Sequence, residues 1–171
     1  MTNDELLALK SEVLRRFEYQ DGNLIYKISP NNRTKAGTIA GCSDNNGYLL
    51  VGMNFKTYKV HRLIFLMHHG YLPEYIDHIN GVPNDNRIEN LRAATMPENM
   101  RNKALQRNNT SGCKGVVFNN NNKKWMVNLR LNKLRYFLGY YEDKELADLV
   151  ASSFREKYHG DFCNHGVFSH V

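Results

Sequence analysis

The chain has 171 residues, 42% apolar and 23% charged, with a formal net charge of +6. This composition fits a soluble globular protein of one domain or two small ones, long enough to bury a core without disulfides. The longest apolar run, LIFLM at 63–67, is far short of the ~18 residues a membrane helix needs, and the early acids Asp4 and Glu5 are unlike a secretory leader. Membrane, secreted and fibrous classes are therefore excluded, and a cytoplasmic protein is expected. The three cysteines, Cys42, Cys113 and Cys163, include no CxxC pair, so reduced thiols and no structural zinc are expected.

The positive charge is not spread evenly. Residues 101–135 hold nine Lys or Arg and no acid, while residues 136–171 hold three and six acids. A basic stretch of that length is an electrostatic footprint for a polyanion, nucleic acid above all.

In chain order, the apolar spacing of Leu6, Leu9, Val13 and Phe17 predicts a helix over 3–17, with Asp4 and Glu5 in its first turn. Short strands are predicted at 23–29, 37–41, 48–53 and 55–60, punctuated by Asp21-Gly22, Pro30 and Asn45-Asn46-Gly47. A buried helix is expected over Val60–His69, closed by Gly70. Residues 73–95 read as an acidic, Asn-rich loop region containing a short apolar strand that ends at Asp77-His78. Thr95 is the expected N-cap of a helix with Pro97 in its first turn, running to about Leu105. Residues 106–112 read as a polar linker. Beyond it, strands are expected at 113–118, 124–131 and 133–139, followed by a helix led by Asp143 with an apolar stripe of Leu146, Leu149, Val150, Phe154 and Tyr158. The chain therefore reads as an α+β protein with a first domain over 1–105 and a second over 113–165.

The densest cluster of chemically active side chains lies between Tyr75 and Asn102. Asp77 offers a hard oxygen to a divalent cation, and the adjacent His78 a neutral imidazole that can take a proton from water. Asn90 and Asn99 follow, and a carboxamide oxygen is an acceptable ligand for Mg²⁺. Each of these residues alone is commonplace, since Asn-Gly and Asn-Asp-Asn are turn formers.

Together, VHRL at 60–63, IDHING at 76–81, DNRIENLR at 85–92 and Glu98-Asn99 with Asn102 resemble the HNH endonuclease family, in particular its phage and intron homing branch. The resemblance implies a ββα-metal core. It implies that His78 is the general base, that Asn90 holds the loop and orients the imidazole, and that Asp77 and Asn99 ligate one Mg²⁺, for which Mn²⁺ would substitute. Asn99 stands where the family often has His. His61 matches a recurrent upstream histidine and is expected to be a buried, hydrogen-bonded residue. Arg62, Arg87, Arg92 and Arg101 are expected near phosphates, Arg92 and Arg101 foremost because they flank the helix that carries Asn99, with Asn102 in support.

Residues 110–164 resemble an AP2/ERF-type DNA-binding domain, through SGCKGV at 111–116, KWMVNL at 124–129, FLGY at 137–140, ELADLVA at 145–151 and HGDF at 159–162. This resemblance implies a three-stranded sheet facing double-stranded DNA with a helix behind it. Arg130 and Arg135 are then candidates for guanine edges, Lys114, Lys123, Lys124 and Lys133 for phosphates, and Trp125 for either a sugar contact or the core. The expected activity is DNA phosphodiester hydrolysis by a monomer or weak dimer. The competing reading is a DNA-binding regulator with a decayed nuclease core.

Overall fold

The computed structural model describes residues 1–103, 105, 106 and 108–165. Ala104 and Arg107, which fall in the expected helix end and linker, lie outside the described residues. The chain divides into two compact units, Met1–Ala94 and a second beginning at Thr95. The sequence places the division in a linker at 106–112, whereas the helix after Thr95 belongs to the second compact unit.

The first unit opens with α1 (Asn3–Arg16), whose N-terminus is closed by a capping box between Thr2 and Glu5. There follow β1 (Phe17–Gln20), β2 (Asn23–Tyr26), β3 (Ile39–Ala40), β4 (Cys42–Ser43), β5 (Leu49–Met53) and β6 (Lys56–Lys59). They form two antiparallel three-stranded sheets, β1-β2-β3 and β4-β5-β6. The expected helix to residue 17 is one residue too long. Phe17 instead begins β1, paired with Tyr26 in a tight hairpin around Asp21-Gly22.

Helix α2 (Val60–His69) occupies its expected span and ends on Gly70 at φ +77°, a left-handed cap that glycine adopts without a side-chain clash. Its Val60, Leu63, Ile64 and Phe65 are buried among Val13, Phe17, Leu24, Val51 and Met53. This core holds the last hairpin, β7 (Tyr75–His78) and β8 (Leu91–Ala94), through Ile76 and Leu91. The segment 73–95 thus contains the expected strand ending at Asp77-His78 and a second, unexpected strand paired with it, joined by a long loop that ends in a 3₁₀ turn at Ile88–Asn90.

The second unit starts with α3 (Met96–Arg101), capped by Thr95 as expected, with Glu98 completing a capping box, but ending at Arg101 rather than Leu105. Strands β9 (Val116–Asn119), β10 (Lys124–Leu131) and β11 (Leu134–Tyr141) form one antiparallel sheet, with β10 central. Helix α4 (Lys144–His159) is capped by Asp143, whose carboxylate accepts from Leu146 N.

The buried face of α4 differs from the expected stripe. Leu146, Leu149 and Tyr158 are exposed, and the residues at zero exposure are Ala147, Ala151 and Arg155. Ala147 and Ala151 let the helix approach Val116, Val127 and Leu129 of the sheet closely, while Phe154 and Trp125 flank this core. Trp125 is therefore a packing residue. Enlarging Ala151 to Leu should overpack this contact and cost about 1–3 kcal/mol, whereas Leu149→Ala should shift stability by less than about 0.5 kcal/mol. Thermal or urea unfolding followed by circular dichroism checks the pair, and equal effects would contradict this helix face.

Candidate functional site

In the first unit, antiparallel register sets Asp77 opposite Arg92 and His78 opposite Leu91. Asp77 and His78 are both buried, at 4% and 5% exposure. A buried carboxylate needs a partner, and Arg92 supplies it: Nε and Nη2 both reach Asp77 Oδ2, at 2.8 and 2.7 Å. This corrects the expectation that Arg92 contacts a phosphate. Its guanidinium lies across the hairpin from Asp77 and is held there.

The imidazole of His78 sits in an aromatic setting. The ring of His61 meets it edge-on at 5.0 Å between centroids, and the Tyr48 ring lies 5.9 Å away. Burial lowers the pKa of His78, against smaller opposing contributions from Asn86 and the carboxylates of Asp77 and Asp85. His61 is pushed down to about 3, first by burial and then by the neighbouring His78. Both rings are therefore neutral at neutral pH. His61 is buried as expected, but its Nδ1 has no hydrogen-bond partner among the described residues, contrary to the expectation of a hydrogen-bonded histidine.

The loop from 79 to 90 is closed by Asn90. Its Nδ2 donates to Asn80 Oδ1 (3.0 Å) and to the Asp85 carbonyl (2.7 Å), and its Oδ1 accepts from Asn80 N (3.0 Å). Its carbonyl accepts from Ile79 N at 2.9 Å. Asn90 therefore bridges the start and the middle of the loop. The side chain that meets the imidazole is another one, Asn86, whose Oδ1 lies 3.1 Å from His78 Nε2. The sequence reading missed Asn86 because Asn-Asp-Asn there reads as a turn former.

Two other arginines are committed to protein partners. Arg62 donates to the carbonyls of Glu74 (3.2 Å) and Pro73 (3.1 Å), so it fastens the segment after α2 and is not a phosphate contact. Arg87 forks onto Asp85 at 2.8 and 2.7 Å, which lowers the Asp85 pKa to about 2.

In the second unit, α3 carries Asn99 half-buried. Arg101 donates to Asn132 Oδ1 at 3.0 Å, and the Asn102 carbonyl accepts from Asn164 Nδ2 at 2.9 Å. Asn102 thus ties the end of α3 to the segment after α4.

Lys114 corrects an expectation too. Its ammonium turns inward to the carbonyls of Arg101 (3.0 Å), Lys103 (2.6 Å) and Asn164 (3.3 Å), and burial lowers its pKa to about 8. It is a structural clamp at the C-terminal end of α3 rather than a DNA contact. Arg155, fully buried, donates to the Lys114 carbonyl.

Cross-strand pairs set Arg130 beside Arg135, Asn128 beside Phe137 and Met126 beside Tyr140. These residues share the sheet face opposite Val127 and Leu129, the residues that pack on α4. Arg130, Arg135, Lys123 and Lys133 are exposed, and Lys124 pairs with Glu142 at 3.2 Å. Four of the expected DNA contacts are therefore displayed to solvent.

Residues 58–101 match the model of the HNH endonuclease family. This segment holds Asp77, His78, Asn90 and Asn99. The chain is also similar to Protein 3.8 of Escherichia phage T7, at 29% identity over 112 residues, which is 63% of this chain and 90% of that protein. No solved structure matches the chain.

The Asp77–Arg92 pair invites a direct test. Arg92→Ala leaves a buried carboxylate without its guanidinium and should cost about 3–5 kcal/mol. Removing both partners in Asp77→Ala/Arg92→Ala should cost less than the sum of the single losses, because the stranded charge is gone. Chemical denaturation of the three variants measures the coupling; additive losses would show that the pair does not interact.

Proposed function

We propose that the chain is a metal-dependent DNA endonuclease of the phage or intron homing type, which hydrolyses phosphodiester bonds of double-stranded DNA. The observation that carries this reading is the pairing of a buried carboxylate and a buried neutral imidazole, Asp77 and His78, at the end of β7 inside the segment that matches the HNH endonuclease model. The likeness to a phage protein supports action in the cytoplasm of a host cell.

A carboxylate oxygen of Asp77 and a carboxamide oxygen of Asn99 are hard donors of the kind Mg²⁺ takes, with Mn²⁺ as a substitute. Among the described residues, no group of three or more His, Cys, Asp or Glu could hold an ion by itself. Asp77 and the carboxamide oxygen of Asn99 would leave the other positions to water and phosphate, as Mg²⁺ prefers. Bound there, the ion would neutralise charge developing on the phosphate and the leaving oxygen.

The chain's own residues supply the rest. Arg92 holds the Asp77 carboxylate in place across the hairpin. His78 is kept neutral by burial, so it can accept a proton from the attacking water at neutral pH. His61 and Tyr48 pack around that imidazole and restrict its rotation. One such site in a monomer or weak dimer cuts one strand per encounter. The second unit, with its AP2/ERF-like sequence, would address the enzyme through the sheet face that carries Arg130 and Arg135.

His78→Ala should lower cleavage of supercoiled plasmid in Mg²⁺ by at least about 100-fold while leaving DNA affinity unchanged. Asp77→Ala and Asn99→Ala should also lower cleavage and recover in part at high Mn²⁺. Plasmid nicking with Mg²⁺ or EDTA, beside gel shift, measures both quantities. Binding by the wild type without any Mg²⁺-dependent nicking would instead favour a DNA-binding regulator with a decayed core.

Arg130→Ala or Arg135→Ala should cost roughly 1–3 kcal/mol at a single base pair if either reads guanine. Lys123→Ala or Lys133→Ala should weaken all sequences alike and reduce the salt slope by about 1. Affinity against salt concentration on a panel of duplexes distinguishes these behaviours, and unchanged binding in all four variants would remove the sheet as the DNA-binding face.

A further inference from the structure

Asn86 is 1% exposed, yet it carries a polar carboxamide in the middle of a loop. Its Nδ2 has no hydrogen-bond partner among the described residues. Its Oδ1 is 3.1 Å from His78 Nε2. A buried amide with one end unsatisfied is costly, so its retained contact with the imidazole calls for a reason. We infer that Asn86 is a positioning residue that fixes the tautomer of His78: its Oδ1 accepts from Nε2–H and so leaves the lone pair on Nδ1, the atom that takes the proton from water. This inference rests on the endonuclease reading for its chemistry, but the tautomer itself is independent of it.

The surroundings hold Asn86 where this function needs it. Asn90 Nδ2 grips the carbonyl of the preceding Asp85 at 2.7 Å. Behind the loop lies the β1–β2 turn. A Cβ added to Gly22 would stand 2.8 Å from Arg87 N and 3.0 Å from the Asn86 carbonyl carbon, so only glycine lets the turn approach this closely. Ile88 N donates to the Tyr19 hydroxyl of β1 at 3.1 Å. The N-terminal hairpin thus backs the loop, and Asn90 acts on the imidazole indirectly, by delivering Asn86. A neutral histidine exists as two tautomers of similar energy in water, and only one of them presents a lone pair at the working nitrogen.

The test uses the full chain labelled with ¹⁵N-histidine. Long-range ¹H–¹⁵N correlation spectra at a pH where His78 is neutral, with its signals assigned by their loss in His78→Gln, read the tautomer directly. Wild type should show the Nε2–H form. Asn86→Asp keeps an acceptor of the same shape and should keep that form, whereas Asn86→Leu should show both forms. In plasmid cleavage, Asn86→Leu should lose on the order of 10- to 100-fold in kcat with KM unchanged, and Asn86→Asp should retain most of the rate. A wild-type Nδ1–H tautomer, which an amide turned the other way would impose, overturns the inference without any variant. So does an Asn86→Leu chain that keeps the wild-type tautomer. If no form of the protein cleaves DNA, the endonuclease reading fails while the spectra still decide what Asn86 does.

Discussion

The carboxamide of Asn90 is the constraint on which the site depends. The loop between β7 and β8 has little apolar content with which to hold its own shape, and loops of that kind sample many conformations unless their polar groups are bonded. Asn90 closes it with three side-chain hydrogen bonds and two backbone bonds. Once the loop is closed, Asp85 turns to Arg87, Asn86 turns to His78, and the imidazole meets His61. Without that closure, the buried polar groups around His78 would have no fixed partners.

Burial is the second organising condition. Apolar packing of α2 against the β-strands places the end of β7 inside the protein, and that position makes both Asp77 and His78 sensitive to their neighbours. The carboxylate is compensated by a cross-strand guanidinium, which strand register alone brings opposite it. The imidazole is kept uncharged instead. Two adjacent residues on one strand thus meet opposite electrostatic fates, and these fates suit the two tasks proposed for them.

Much of this architecture was legible in the sequence where a local signal decided the outcome. Val60–His69 has an apolar run and a terminal glycine, Thr95 before Pro97 marks a helix start, and alternation marks Lys124–Leu131. The adjacency of Asp77 and His78 and the place of Asn90 were legible because the motif is contiguous. What was lost depended on distant partners. Phe17 continues a helical apolar pattern, and only pairing with Tyr26 makes it a strand. On α4 the larger side chains suggested the buried stripe, but close helix–sheet approach selected the alanines. The fates of Arg62, Arg92 and Lys114 turned on main-chain carbonyls or a cross-strand acid, and no charge count reveals these.

The tip of the β10–β11 hairpin carries a trade-off. Leu131 pairs with Leu134, so the turn has two central residues, Asn132 and Lys133, at φ +49° and +70°. Such a turn favours Asn followed by Gly, and a lysine in the second place accepts roughly 1 kcal/mol of steric cost. The chain thus keeps an ammonium at the outermost point of the sheet where the backbone would prefer no side chain. Thermal stability and electrostatic reach oppose each other at this position. Selection for heat resistance alone would drift toward glycine here and blunt the tip of the hairpin's positive field.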